Sequence, residues 1–406
     1  MGLIVQKYGG TSVATIDRIR SVAKRVVRYR TEGHNLVVVL SAMSGVTDSL
    51  IAMAHQITDT PDKRELDALL ATGEQTTSAL LAMMLKSMGS PAVSLLGFQA
   101  EVLTDCAYGN ARIVDIGTDR IQHYIAAGNV VVVAGFQGCD ARGDITTLGR
   151  GGSDTSAVAI AAAMKADVCE IFTDVDGIYT TDPNICDKAR KIKKISYEET
   201  LEMASLGAKV LQIRSVEFAK KYNVKVHVRS SFNDEEGTMV MNEDADMERL
   251  VVSAVTCDKK EARITISKVP DQPGVAAKIF TPLADAGIVV DMIIQTSPTD
   301  GRNDITFTVP RSEFKRAMEI SKSVAADLNA GGVMGREDIA KVSVIGVGMK
   351  NHSGVAAKMF GTLAAENINI RLISTSEIRI SCVVEEKYTE LAVRVLHTAF
   401  DLDREE

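Results

Sequence analysis

The sequence predicts an α/β domain on a mainly parallel sheet, followed by two copies of a small α+β module. Three observations carry that expectation. From Met1 to about Phe232, short β-branched runs alternate with segments of helical period. The runs are apolar without strict alternation, as strands buried on both faces are. In the last third, Pro273–Phe280 (PGVAAKIF) recurs as Ser353–Phe360 (SGVAAKMF). Across 274–293 against 354–373, ten of twenty positions are identical, where chance would give about one. The chain of 406 residues also exceeds the length at which one core stops growing, roughly 250–300 residues.

The elements follow in order. Strands are expected at Leu3–Lys7, Leu36–Leu40, Ala92–Leu96, Val130–Phe136, Val168–Thr173 and Val224–Arg229. Between the first two, Ile16, Ile19, Val22 and Val26 recur at helical spacing, and Gly33 is a stop signal. An Ala-rich helix spans Thr155–Met164. Ser196–Glu199 has the form of a capping box and opens a helix to about Leu211. After Phe232, a turn-like stretch, Asn233–Gly237, and an acidic one, Asn242–Glu248, mark the end of the domain. The domain is therefore placed at 1–232, a linker at 233–248, and the modules at 249–338 and 339–406. Each module reads strand, helix, strand, strand, helix. In copy one these are Arg263–Val269, Gly274–Ala286, Val289–Thr296, Asp304–Val309 and Ser312–Leu328. In copy two they are Val342–Val347, Gly354–Glu366, Asn369–Thr375, Arg379–Glu385 and Thr389–Phe400. Copy two ends without the last strand of a βαββαβ unit, and an extra strand at Leu250–Thr256 is expected to supply it.

Composition narrows the function. Net charge is −7, with ten Phe, eight Tyr and no Trp. That leaves no basic or base-stacking footprint for nucleic acid and no attraction to anionic membrane. No apolar run approaches the ~18–20 residues of a membrane helix. The N-terminal MGLIVQKYGG has no secretory h-region, and the six cysteines form no C-x-x-C pair. The expectation is a cytoplasmic protein with free thiols. The six histidines are dispersed too, so no protein-built metal site is expected.

Two glycine loops carry the chemistry. Lys7-Tyr8-Gly9-Gly10-Thr11-Ser12 sits where the first strand meets the first helix. It reads either as a tight turn or as an anion cradle of backbone N–H groups with Lys7 as a point charge. Arg150-Gly151-Gly152-Ser153-Asp154 precedes the Ala-rich helix. Ser153 or Asp154 is a candidate N-cap, and Arg150 can grip a carboxylate with two parallel hydrogen bonds. Ser41–Thr47 is a hydroxyl-rich loop, Glu74 is expected to start a helix, and Thr173–Pro183 is a loop with three aspartates. No nucleophile elbow, kinase HRD–DFG pair or EF-hand spacing is present. Lys, Arg, Gly, Ser/Thr and Asp together suit phosphoryl transfer to an acceptor that needs no deprotonation, such as a carboxylate.

The stretches KYGGTSVA, SAMSGVT, TGEQ, GFQG, GRGGSDTSA and TDVDGIYTTDP, in this order, resemble the aspartokinases, and the paired modules resemble their ACT regulatory domains. The resemblance spans essentially the whole chain. It implies the amino-acid-kinase fold and transfer of the ATP γ-phosphoryl group to the β-carboxylate of L-aspartate, with Mg²⁺ carried by ATP. It implies that Lys7 neutralises charge on the transferring group and that Asp154 holds Lys7. Arg150 would bind the α-carboxylate of aspartate and Glu74 its ammonium group. Thr47, Gly151, Gly152 and Ser153 would complete that site. Tyr8, Gly9, Gly10, Ser12 and Ser41 would lie at the phosphates, and Thr173, Asp174, Tyr179, Asp182, Pro183 and Lys209 would line the nucleotide pocket. Two alternatives remain beside it: an inactive amino-acid sensor, or a kinase for another acidic substrate.

In the modules, the family resemblance implies feedback inhibition by lysine, threonine or both. In copy one an effector would meet Asp271, Gly274, Val275, Ala276, Asp291, Met292 and Gln295, its carboxylate at the helix N-terminus and its ammonium on Asp271 or Asp291. The matching positions in copy two include Asn351, Gly354 and Val355. There Asp271 becomes Asn351 and Asp291 becomes Arg371, and an arginine cannot bind an ammonium group. Copy two is thus read as completing copy one's pocket across a subunit interface, or as a dimerisation module. The partners expected are a second copy of the chain, paired through the ACT domains, or an ACT-only chain started internally near Met247.

Overall fold

The computed structural model describes residues 2–207, 210–244, 247 and 250–404. The chain forms two compact units: residues 1–179 with 191–249, and residues 180–190 with the chain from Leu250 onward.

The first unit is organised by an eight-stranded sheet. Its strands run, edge to edge, Lys194–Ser196, Thr238–Met241, Val226–Ser230, Val168–Thr173, Leu3–Tyr8, Asn35–Leu40, Val130–Ala134 and Ala92–Leu95. All pairs are parallel except Val226–Ser230 with Thr238–Met241. All six strands expected here are present. Asn35–Leu40 and Val130–Ala134 are buried almost throughout, as central strands covered on both faces must be. A small second sheet joins Ile113–Ile116, Val102–Thr104, Gln137–Cys139 and Ile145–Thr147.

Several boundaries differ from the sequence expectation. The domain does not end at 232: Thr238–Met241 still pairs within the first sheet, as a hairpin partner that the polar turn before it concealed. Residues 180–190 belong to the second unit because their hydrogen bonds lie there. The Val255 N–H donates to the Thr180 carbonyl at 2.8 Å, and Arg190 Nε donates to the Leu402 carbonyl at 2.7 Å. The capping box at Ser196 and Glu199 is formed, but its helix stops at Ser205, and a separate helix follows at Ile213–Tyr222.

In the second unit the two modules form two four-stranded antiparallel sheets. Copy one orders Ile293–Gln295, Arg302–Pro310, Glu261–Pro270 and Gly332–Arg336. Copy two orders Leu372–Thr375, Arg379–Glu385, Ile339–Ile345 and Ala254–Asp258. The last of these comes from ahead of copy one in the chain and pairs antiparallel with Ile339–Ile345. Two helices pack on each sheet, and each module has its own apolar core, around Ile279 and Phe307 in one and Met359 and Leu396 in the other.

Candidate active site

The site candidates of the first unit gather where strands end. Lys7 and Tyr8 close the strand Leu3–Tyr8, and Gly10–Val13 forms a single turn of tight helix. The chain is held there from both sides. The Gly9 N–H donates to the Phe172 carbonyl at 3.2 Å, and the Ser41 N–H donates to the Tyr8 carbonyl at 3.1 Å. A Cβ on Gly10 would lie 2.9 Å from the Ala42 carbonyl oxygen, so only glycine allows the Lys7 and Ser41 loops to lie this close.

Lys7 Nζ lies 2.6 Å from Asp154 Oδ1, both side chains about nine-tenths buried. Asp154 stands in the first turn of the helix Gly152–Ala163. That helix is capped by Gly151, at φ 68°, not by Ser153 or Asp154; the two side chains are thereby free for other partners. Ser153 Oγ meets Ser41 Oγ at 2.7 Å. Three loop regions are thus joined: Lys7–Ser12, Ser41–Thr47 and Arg150–Asp154. Thr47 is the second residue of the helix Val46–Ile57 and is half-buried, and Arg150 is exposed.

Glu74 does not start a helix. It lies in the middle of Lys63–Ser87, whose N-cap is Asp62, accepting from the Glu65 N–H. Gly73 made this stretch look like an element boundary. It is instead a place of close packing, where a Cβ would meet that of Ala42 at 2.7 Å. Glu74 is 4 % exposed. Its Oε1 accepts from the Ala42 N–H at 2.9 Å, and its Oε2 is buried without a partner. Burial pushes its carboxyl up to about 7.

Tyr8 is not a ligand-facing residue. It is fully buried, stacked on Phe172 at 4.7 Å between ring centroids, and its hydroxyl donates to Gln6. Ser12 is buried with its hydroxyl against that of Ser231. Ser231 was missed in the sequence, though its N–H on the Thr173 carbonyl places it at the same sheet end. Thr173 ends its strand with its hydroxyl on Asp174, and Tyr179 donates to Asp176 at 2.8 Å. Asp182 and Pro183 fall in the second unit, where Asp182 accepts from Asn184. Lys209 lies outside the described residues.

In the second unit, Asp271 is exposed and accepts from Asn303 Nδ2 at 3.3 Å. Asn303 is 4 % exposed, and its Oδ1 has no partner. Gly274, Ala276 and Gln295 are exposed, whereas Val275 faces the core, leaving only its backbone at the surface of the helix start. Asp291 is not free for an ammonium ion, because Lys341 Nζ is bound to it. Met292 is buried with Ile339 and Val383. In copy two, Asn351 and Gly354 are exposed and Val355 is buried.

The amino acid kinase family matches residues 2–230, and the ACT domain matches 263–325 and again 342–400. An aspartate kinase of Stutzerimonas stutzeri is 56% identical over 404 residues, covering 99% of this chain and 98% of that protein. The aspartokinase of Helicobacter pylori is 51% identical, covering 99% of this chain and 100% of its own. Among solved structures, E. coli aspartokinase III in complex with aspartate and ADP superposes with a TM-score of 0.78 at 26% identity, covering 98% of this chain and 99% of that one. Joined to a site that pairs a buried lysine with an aspartate between two glycine loops, these likenesses place the chain in the aspartokinase family, as an ATP-dependent kinase of the aspartate carboxyl group with an amino-acid-kinase domain followed by two ACT domains.

Proposed function

We propose that the phosphoryl group passes over the Lys7–Asp154 pair, and that the buried, half-satisfied Glu74 receives the ammonium group of aspartate. The single observation that carries this is the 2.6 Å Lys7–Asp154 contact between two nearly buried side chains. An attacking β-carboxylate is already ionised at neutral pH, so no general base is required. The barrier is anion meeting anion, and Lys7 with the N–H groups at the start of the Gly10–Val13 turn opposes it. Asp154 keeps Lys7 directed at one place. Arg150, with Gly151, Gly152 and Ser153, takes the α-carboxylate; Thr47 lies beside it. Ser12 and Ser41 face the phosphates, and Thr173, Asp174 and Tyr179 the nucleotide. Asp154 is already paired with Lys7, and hard phosphate oxygens suit Mg²⁺, so the ion is assigned to the triphosphate, where it would neutralise charge.

Hydroxylamine trapping tests the reaction. With Mg²⁺, ATP and L-aspartate the protein should form the hydroxamate, and Lys7→Ala should lower kcat by about 10²–10³ with a smaller change in aspartate KM. No hydroxamate from the unaltered protein would favour the inactive-sensor reading.

Glu74 adds a pH signature. Burial pushes its carboxyl up to about 7. Below that pH it is neutral and has little attraction for an ammonium ion; above it the carboxylate is formed. KM for aspartate should therefore fall as pH rises from 6 to 8, and Glu74→Gln should flatten that profile while raising KM.

For the effectors we assign the helix start at Gly274 and the carboxylate of Asp271 to an amino-acid zwitterion, lysine or threonine. Asn303 supports this, since it is buried, orients Asp271 and keeps one oxygen unpartnered. For the assembly we assign pairing through the modules. The edge strands Ile293–Gln295 and Leu372–Thr375 carry the exposed Ile293 and Ile373, and uncovered edges invite pairing. Light scattering of the purified chain would show a monomer if this is wrong, and inclusion of an ACT-only chain from Met247 would show as a second, shorter species.

A further inference from the structure

The long helix Lys63–Ser87 carries a second buried carboxylate, Asp67, that the reaction does not use. It is 1 % exposed, and both its oxygens are occupied. Oδ2 accepts from the Gly109 N–H at 2.9 Å and the Thr147 N–H at 2.7 Å. Oδ1 accepts from the Thr147 hydroxyl at 2.7 Å. Thr147 ends the strand Ile145–Thr147 and stands three residues before Arg150. The next residue, Leu148, is also fixed, since its carbonyl accepts from Arg214 at 2.6 Å.

Asp67 and Glu74 are seven residues apart, two helical turns or about 10 Å along the axis. Both face the interior. One grips the approach to the Arg150 loop, and the other grips the Ser41–Thr47 loop through the Ala42 N–H. Gln137 ties a third segment to the same helix, its Nε2 donating to the Ala71 carbonyl at 3.0 Å.

We propose that Asp67 is a positioning residue for aspartate binding: it anchors Thr147 so that Arg150 stands at a fixed distance from Glu74, and the helix Lys63–Ser87 is the ruler that sets the distance. This rests on the assignment of Arg150 and Glu74 to the two charged groups on the α-carbon of aspartate. A rigid α-amino acid presents those groups at one spacing, so a loop displaced by an ångström costs recognition. The nucleotide side does not depend on this anchor, because Lys7, Gly9 and Ser12 are held by other strands.

The hydrogen bonding makes a sharp prediction about substitution. Asparagine at 67 keeps all three bonds. Its carbonyl oxygen can accept from the two N–H groups, and its amide can donate to the Thr147 hydroxyl, which reverses its role. Alanine loses all three. The test is steady-state kinetics on the full chain, with melting temperatures alongside. Asp67→Ala should raise aspartate KM at least about tenfold, with ATP KM within twofold of the unaltered protein, and Asp67→Asn should restore aspartate KM. If Asp67→Ala does not fold, Thr147→Val serves, since it removes only the hydroxyl bond and should raise aspartate KM by a smaller factor without moving ATP KM.

An unchanged aspartate KM in these variants overturns the proposal, as does an equal rise in both KM values. Asp67→Asn behaving like Asp67→Ala overturns it too, because charge and not geometry would then be responsible. Arg150→Ala separates this failure from failure of the underlying assignment. If Arg150→Ala raises aspartate KM and Asp67→Ala does not, only the positioning role falls. If Arg150→Ala leaves KM unchanged, the assignment falls and the proposal with it.

Discussion

The two ACT copies share a helix start and a sheet order but differ in where the fourth strand comes from. Copy one uses its own Gly332–Arg336 beside Glu261–Pro270. Copy two takes Ala254–Asp258, from before copy one, beside Ile339–Ile345. The helix starts are alike: Gly274 at φ 88° and Gly354 at φ 96° cap helices that begin at Val275 and Val355. The modules are therefore alike locally and interlocked globally. What the difference teaches is that the repeat unit in sequence is not the unit of folding.

The largest expected effect comes from cutting the chain where the repeat suggests. A fragment starting at Ile339 lacks Ala254–Asp258. All seven residues of Ile339–Ile345 are buried in the intact chain, and the cut would expose one edge and part of one face of that strand. Such a fragment should show no cooperative unfolding transition, whereas a chain from Leu250 onward should. A cooperative transition in the shorter fragment would show that the two copies fold independently.

A smaller but still large effect lies at Glu261 and Lys341. They occupy equivalent places in the two copies, 80 residues apart, and they meet: Lys341 Nζ lies 3.3 Å from Glu261 Oε1, with Asp291 bound to the same ammonium group. Equivalent positions thus carry opposite charges and neutralise one another. Lys341 is 3 % exposed and Glu261 8 %, and burial already raises the Glu261 carboxyl above its ordinary range. Lys341→Met should cost about 3–5 kcal/mol, because it leaves the buried Glu261 carboxylate without its cation. Adding Glu261→Gln should recover part of that loss. Chemical denaturation of the regulatory unit measures both, and additive losses would mean that the pair is not coupled.

How much of this was legible in the sequence depended on the range of each interaction. The parallel sheet was visible because its strands are uniformly apolar, and the repeat because ten identities survive. The Lys7 and Arg150 loops were visible as glycine motifs, and the family resemblance supplied their pairing. What was hidden depended on tertiary partners. Glu74 looked like a helix start because Gly73 resembles a break, yet that glycine exists to admit Ala42. Asp67 carries no motif, since its three hydrogen bonds go to residues 109 and 147, far along the chain. Tyr8 sits inside a binding motif but packs on Phe172, which no local pattern announces. Asp291 looked available until Lys341, fifty residues away, was found on it.

That occupied aspartate sharpens the last comparison. With Asp291 bound to Lys341, Asp271 is the one of the two aspartates proposed for an effector's ammonium group that is not held by a cation. At the matching place copy two has Asn351, and at the other it has Arg371, which lies 2.6 Å from Glu385. The copies should therefore differ in charge recognition through one residue. Asp271→Asn makes copy one resemble copy two. If that carboxylate selects the effector, the concentration of lysine or threonine giving half inhibition should rise by about 10–150-fold, the loss of a charge-assisted hydrogen bond of about 1.5–3 kcal/mol. The converse change, Asn351→Asp, should shift the curve far less, because Arg371 still stands in copy two and copy one is untouched. Titrating inhibition of the trapped hydroxamate for both variants gives the answer. An unmoved curve for Asp271→Asn would mean that the effector's ammonium group is read elsewhere, and a larger shift from Asn351→Asp would move the site to copy two.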